Sequence, residues 1–311
     1  MKTFTLPGTD LVVPAIVTGV MRIQEKTDAE VRAIFDASLA SGITFFDHAD
    51  IYGSLPAHGC EQRFAEALRL TPSQRAELVL QTKAGIVKDG PYFDFSHDHL
   101  VEAVNGSLRA LNTDYIDLLL LHRPDALVEP EQVAQAFDEL SAAGKVRHFG
   151  VSNHTPYQIE LLKKYVRQPL VANQVQLSIT HAPLVTQGMA MNMEQLDQSI
   201  DRTLGTLDYC RLNDITLQAW SPFQAKFFDG PFLGNPGYPE LNAVVNRLAA
   251  SYAVPPEAIA TAWILRHPAS WQVVSGTTSP ERITAAAKGA DVELTRPEWY
   301  ELYRAAGHTV P

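Results

Sequence analysis

Eight times along this chain a short run, in several cases apolar almost throughout, is followed by a longer stretch whose apolar residues recur at helical spacing. The short runs cover 15–17, 44–48, 78–83, 117–122, 148–152, 172–177, 216–221 and 271–275. The longer ones cover 28–41, 59–70, 97–112, 130–143, 155–166, 194–213, 256–267 and 280–289. A strand that is apolar throughout is buried on both faces, and strands alternating with helices run parallel with helical crossovers. Two architectures satisfy this: an open doubly wound sheet and a closed (β/α)8 barrel. A doubly wound nucleotide-binding sheet carries G-x-G-x-x-G after its first strand. The corresponding segment here is Thr18-Gly19-Val20-Met21-Arg22, so the count of eight points to the barrel.

Helix starts support the register. Ser96 precedes the third helix, Pro130-Glu131 opens the fourth and Ser279-Pro280-Glu281 opens the eighth. Runs 2–6 and 9–13 flank Pro7-Gly8, the signature of a small N-terminal hairpin. A C-terminal helix with Trp299, Tyr300 and Tyr303 follows Thr295. No linker interrupts the pattern, so the expectation is one domain over 1–311. Segments 84–96 and 222–238 stand outside the repeat, the second with Phe223, Phe227, Phe228 and Phe232. Long loops in compact domains are usually functional.

The charge balance excludes some partners. There are 25 basic and 35 acidic side chains, a net charge of −10, which repels nucleic acid and anionic lipid. Cys60 and Cys210 form neither a disulfide framework nor a zinc pattern. The first residues lack the apolar core of a signal peptide, and the run 118–121 is too short to cross a bilayer. The expectation is a cytoplasmic protein, and an acidic barrel of this kind is compatible with a monomer.

In a parallel barrel, chemistry collects where strands end. Strand two leads into Asp47, His48, Asp50 and Tyr52, strand three ends at Lys83, and strand four ends at His122. Strand five ends at Ser152-Asn153, strand six carries Asn173, Gln174 and Gln176, strand seven ends at Trp220-Ser221, and strand eight runs into Gly276-Thr277-Thr278. A lysine at the crowded barrel mouth needs a counter-charge, and Asp47 is one strand away. Alone, such a pair can simply tie strands together. A Lys, an Asp, a His and a Tyr arriving from neighbouring strand ends suit proton transfer.

The segments Phe45-Phe46-Asp47-His48-Ala49-Asp50-Ile51-Tyr52-Gly53, Gln81-Thr82-Lys83, Leu120-Leu121-His122-Arg123-Pro124-Asp125 and Gly150-Val151-Ser152-Asn153 resemble the aldo-keto reductase superfamily. The similarity spans essentially the whole chain. It is nearest the bacterial general oxidoreductase branch and more distant from potassium-channel β subunits. The resemblance implies reversible reduction of an aldehyde or ketone by NADPH, with Asp47, Tyr52, Lys83 and His122 as the catalytic tetrad. Hydride attack leaves an alkoxide that needs an acid. A phenol ionises near pH 10, and an adjacent ammonium lowers that value by roughly 1–3 units. Lys83 would tune Tyr52, Asp47 would hold Lys83, and a neutral His122 would donate to the carbonyl oxygen.

The resemblance also assigns cofactor positions. Ser152, Asn153 and Gln174 would hold the nicotinamide carboxamide, and Trp220 would stack beneath the ring where relatives carry tyrosine. Ser221 and Gln224 would cover the pyrophosphate, and Gly19, Met21 and Asp47 belong to the same site. At the phosphate end, Gly276, Thr277, Thr278 and Arg282 precede or open a helix, whose N-terminal N–H groups attract phosphate. Gly276 stands where many relatives have lysine, and Ala285 and Ala286 replace an acid and an amide near adenine. Those departures leave NADH open beside NADPH.

Candidate substrate contacts are Tyr52, Leu55, Tyr92, Phe93, His122, Arg123 and Phe223, with Met21 beside them. This largely apolar lining suits an uncharged or partly apolar carbonyl compound. Two other readings stay open. A nucleotide-sensing subunit would bind cofactor with little turnover. A barrel lyase would use Lys83 as a Schiff-base nucleophile, leaving Tyr52, Trp220 and 276–283 without a role. His97-Asp98-His99 reads as surface histidines at a helix start, with no third ligand in view for a metal, and Met189, Met191 and Met193 read as flexible packing.

Overall fold

The computed structural model describes residues 1–54, 57–225 and 230–311. Leu55, Phe227 and Phe228 lie outside the described residues. Strands Ile16–Gly19, Phe45–Asp47, Val79–Ala84, Ile116–Leu121, Val146–Ser152, Leu170–Gln176, Thr216–Trp220 and Trp271–Ser275 pair in parallel, each with the next. The last pairs with the first, so the sheet closes into a barrel. Each strand overlaps one of the eight apolar runs. The ends shift by one or two residues because hydrogen bonding, not hydrophobicity, sets where a strand stops.

Helices cover the outside of the barrel and are capped by the residues that start them. Thr27 and Glu30 form a capping box on Asp28–Ala40, Ser96 caps His97–Leu111, and Ser279 caps Pro280–Ala287. The C-terminal helix Arg296–Ala305 begins with the Thr295–Glu298 box and stacks Trp299 on Trp263 with ring centroids 4.9 Å apart. The expected helix 194–213 is broken. A 3-10 turn occupies Asp197–Ser199, and the helix proper is Thr206–Leu212. Leu204 and Gly205 between them adopt left-handed φ of 50° and 69°, which no α-helix tolerates. Three helices lie outside the eight helical stretches of the sequence: Pro72–Ala76, Pro183–Met189 and Pro239–Tyr252. Each opens on a proline, which reads as a turn when its helical role at the first position is not considered.

The hairpin pairs Thr3–Thr5 with Val12–Pro14 and closes the bottom of the barrel. Its Leu6 and Val13 pack with Val17, Phe45, Val79, Leu118 and Leu120 in one apolar cluster. Gly150 permits the close strand packing there. A Cβ on it would sit 2.7 Å from Leu120 Cδ2 and 2.8 Å from the Ala172 carbonyl oxygen. The larger core lies between barrel and helices. Among the described residues no helix is long and apolar enough to cross a membrane.

Candidate active site

The opposite end of the barrel carries the polar strand termini. Asp47 ends the strand Phe45–Asp47, and Lys83 lies next to the end of Val79–Ala84. Both are buried, and Lys83 Nζ donates to Asp47 Oδ1 at 2.7 Å and Oδ2 at 2.8 Å. It also donates to the His48 carbonyl at 2.8 Å and to Tyr52 Oη at 3.1 Å. An ammonium has three protons. One is shared by the carboxylate, one goes to His48 and one to the phenol. Tyr52 Oη therefore accepts from Lys83, and its own proton is free to point elsewhere.

Burial alone would pull the Lys83 ammonium down, but the Asp47 charge and Tyr52 outweigh it and hold its pKa above the ordinary lysine value. Burial pushes the Tyr52 phenol above its ordinary value, and the Lys83 charge pulls back only in part. The net lowering anticipated for Tyr52 is thus absent from the free protein, because desolvation of a phenolate exceeds the attraction of one ammonium already paired with Asp47. His122 stands edge-on to Tyr52, ring centroids 5.9 Å apart at 81°. Burial holds its imidazole well below the usual range, and the Lys83 and Arg123 charges add to this, so it is neutral. Its Nδ1 is buried without a hydrogen-bond partner among the described residues.

A cleft of about 650 Å³ opens over this group. Its walls include Gly19, Met21, Asp47, Tyr52, His122, Arg123, Ser152, Asn153, Gln174 and Trp220. They continue through Ser221, Phe223, Gln224, Gly276, Thr277, Thr278 and Arg282. Lys83 is behind the wall, in contact with Asp47 and Tyr52, which do line the cleft. Tyr92 and Phe93 are not on the wall. They form a small hairpin with Ile86–Val87 and are 54% and 41% exposed, while Ile86 from the same hairpin does face the cleft.

The strand-five, -six and -seven termini are tied together. Trp220 Nε1 donates to Asn153 Oδ1 at 3.0 Å, Asn153 Nδ2 donates to Ser152 Oγ at 2.9 Å, and Ser152 Oγ donates to the Gln174 carbonyl at 2.9 Å. Asn153 and Ser221 hold left-handed φ of 59° and 53°, conformations that cost non-glycine residues about 1 kcal/mol or more and that turn the chain out at the cleft rim. Gln174 spends both amide protons inward, on Asp47 Oδ1 and Gln218 Oε1, each at 3.1 Å. What it offers the cleft is its acceptor oxygen.

At the far end, Arg22 donates to the Gly276 carbonyl at 2.8 Å and brings a guanidinium beside the Thr277–Ser279 turn and the helix Pro280–Ala287. Arg22 and Glu257 also line the cleft, and neither is among the residues expected there from the sequence. Arg22 was detectable as the residue after Met21 on the same strand-end loop. The cleft thus joins the Tyr52–His122 end, a flat indole and a helix N-terminus with two guanidinium groups nearby. A dinucleotide fits this set: the indole offers a flat face for a ring, and the helix N-terminus with Arg22 and Arg282 suits a phosphate. Elsewhere, His97 hydrogen-bonds Asp98 at 2.8 Å and Glu139 at 2.9 Å in an exposed group. Among the described residues no three His, Cys, Asp or Glu side chains are placed to hold a metal ion.

A model of the aldo/keto reductase family matches residues 15–306. The chain is 34% identical to the uncharacterized oxidoreductase YcsN of Bacillus subtilis, covering 97% of each. It is 35% identical to a 6-dehydroglucose reductase of Agrobacterium fabrum, covering 94% of this chain and 93% of that protein. The solved structure of a thermostable aldo-keto reductase bound to epalrestat superposes with a TM-score of 0.77 at 23% identity, over 98% of this chain and all of the other, which supports the barrel itself. On the family match and the two relatives, this chain is an oxidoreductase that belongs to the aldo/keto reductase family.

Proposed function

We propose that the chain reversibly reduces an aldehyde or ketone to the alcohol with NADPH, and that Tyr52 is the acid. The observation that carries this reading is the Lys83 ammonium with its protons shared among Asp47, His48 and Tyr52. The bound cofactor supplies the hydride. Tyr52 gives its proton to the alkoxide oxygen, and the phenolate left behind is stabilised by the Lys83 proton already pointing at Oη. His122, neutral, donates an N–H to the carbonyl oxygen and draws off part of its developing charge. In alcohol oxidation each role reverses. Asp47 keeps Lys83 charged and in place.

Trp220, held by Asn153, provides the face for the nicotinamide ring, and the Gln174 oxygen accepts from its carboxamide. Ser152 and Asn153 fix that wall. Ser221 and Gln224 cover the pyrophosphate. Gly276, Thr277, Thr278 and Arg282 receive the adenosine phosphate, with NADH accepted less well. Arg123, Phe223, Tyr52 and His122 bound the substrate, a small carbonyl compound.

The test is fluorescence titration with NADPH and NADH, then turnover on an aldehyde panel that includes 6-dehydroglucose. Tyr52→Phe should lower kcat by about 100-fold or more, the usual worth of a positioned acid, and leave nucleotide affinity unchanged. Binding without turnover on any carbonyl would favour a nucleotide-sensing role. No binding of either nucleotide would end the cofactor assignment.

A further inference from the structure

The barrel interior directly beneath the site is polar, where barrels of this type pack branched apolar residues. Gln81, Gln218 and Gln272 are completely buried, and Gln174 nearly so. Strand register sets Asp47 beside Gln81, Gln174 beside Gln218, and Gln218 beside Gln272. Their amides form one connected network. Gln272 Nε2 donates to the Pro14 carbonyl at 2.8 Å. Gln218 Nε2 donates to Gln272 Oε1 at 3.0 Å and to Gln81 Oε1 at 2.9 Å. Gln174 Nε2 donates to Gln218 Oε1 and to Asp47 Oδ1, and Gln81 Nε2 donates to the same Asp47 oxygen.

Both ends of this network only accept hydrogen bonds: a backbone carbonyl at Pro14 and a carboxylate at Asp47. The carbonyl demands the Gln272 NH2. The Gln272 oxygen then demands the Gln218 NH2, whose oxygen faces Gln174. Each amide has one orientation that satisfies its neighbours, and the donors converge on Asp47. A half-satisfied buried amide is costly, so the network resists any change of direction.

We propose that Gln81 and Gln218 are positioning residues: through the amide network they lock Asp47, so that Lys83 keeps one proton on Tyr52. Oδ1 of Asp47 carries Lys83, Gln81 and Gln174, whereas Oδ2 carries Lys83 alone. The amide donors share the carboxylate charge that Lys83 would otherwise have to neutralise. Without them Asp47 draws Lys83 off the phenol. The charged and titratable groups facing Tyr52 are Lys83, Asp47 and Cys60, with the neutral His122 ring beside it. Losing a donor to Asp47 therefore leaves more negative charge facing the phenol and moves its ionisation to higher pH. The consequence for turnover rests on the reductase reading; the effect on the Lys83–Tyr52 contact does not.

Gln81→Met keeps side-chain length and removes the amide. A crystal structure of this variant should show Lys83 Nζ more than about 3.5 Å from Tyr52 Oη, beyond hydrogen-bond range. Its kcat should fall about tenfold, the scale of one lost charge-assisted hydrogen bond, with NADPH affinity and substrate KM near wild type. The basic limb of the pH profile should move up by about half a unit or more. Gln218→Met, one link further from Asp47, should do the same more weakly. If Gln81→Met does not fold, Gln81→Asn keeps an amide but shortens the reach, and the same outcomes apply. A folded variant with the Lys83–Tyr52 contact intact, or with kcat and pH profile unchanged, overturns the proposal. A wild type that turns over no carbonyl sinks the reductase reading, while the Lys83–Tyr52 distance in the variant still decides the positioning role.

Discussion

Replacing Asp50 with asparagine should stabilise this protein at neutral and alkaline pH and have little effect in acid. Asp50 precedes Tyr52 by two residues, is 4% exposed, and has no partner for Oδ1 among the described residues. Burial pushes its carboxyl up to about 7, and the neighbouring Glu61 carboxylate adds to this, against smaller pulls from His58, the Ile51 backbone and Lys83. An acid whose folded-state pKa is raised binds a proton that the unfolded chain has released. Between the unfolded value of 3.8 and about 7, the folded state therefore holds more protons, and unfolding free energy falls as pH rises. That span is about 3 pH units, and at about 1.36 kcal/mol per unit the full penalty is about 4 kcal/mol. Relaxation and water entry around a buried charge reduce this figure. The expected net gain at pH 8 is about 2–4 kcal/mol.

Urea unfolding of wild type and Asp50→Asn at pH 4, 5, 6, 7 and 8 measures this directly. Any constant cost of fitting the new amide shifts the whole difference curve and leaves its slope alone. The gap between the two proteins should widen in favour of Asn from pH 4 and level off above about pH 7. A gap independent of pH across that range would refute the argument, because it would mean that Asp50 ionises in the folded protein as it does in the unfolded chain.

Lys83→Met leaves Asp47 buried with only amide donors, so denaturant unfolding should show a loss of about 3–5 kcal/mol, and turnover should vanish. His122 is held neutral by burial with help from Lys83 and Arg123, so its imidazole proton resonances should not titrate between about pH 5 and 8; a midpoint in that window would contradict the structure. Gly150→Ala should destabilise by about 1–3 kcal/mol in thermal unfolding, since its Cβ would meet Leu120 and the Ala172 carbonyl inside contact distance.

The strands were legible because burial on both faces keeps most of their positions apolar, most plainly in Leu118–Leu121. The candidate residues Lys83, His122 and Ser152 were legible because each closes such a run. Helices of the outer loops were not: Pro239 and Pro183 look like breaks, and only the turns that follow show a helix, with Leu241, Val245 and Leu248 buried on one side. Tyr92 and Phe93 were misplaced because aromatic loop residues near a barrel mouth suggest a pocket wall, whereas the hairpin Ile86–Phe93 turns them outward. The polar interior was the deepest omission. A glutamine in an apolar strand reads as a side chain that happens to reach solvent. Yet alternate residues of a strand share a face. Lys83 must face inward to meet Asp47, so Gln81, two residues before it, faces inward too. Trp220 and Gln218 repeat the relation on strand seven, and each inward glutamine then needs a partner across the barrel. The network followed from the same pairing rule that placed Lys83 beside Asp47, applied one layer down.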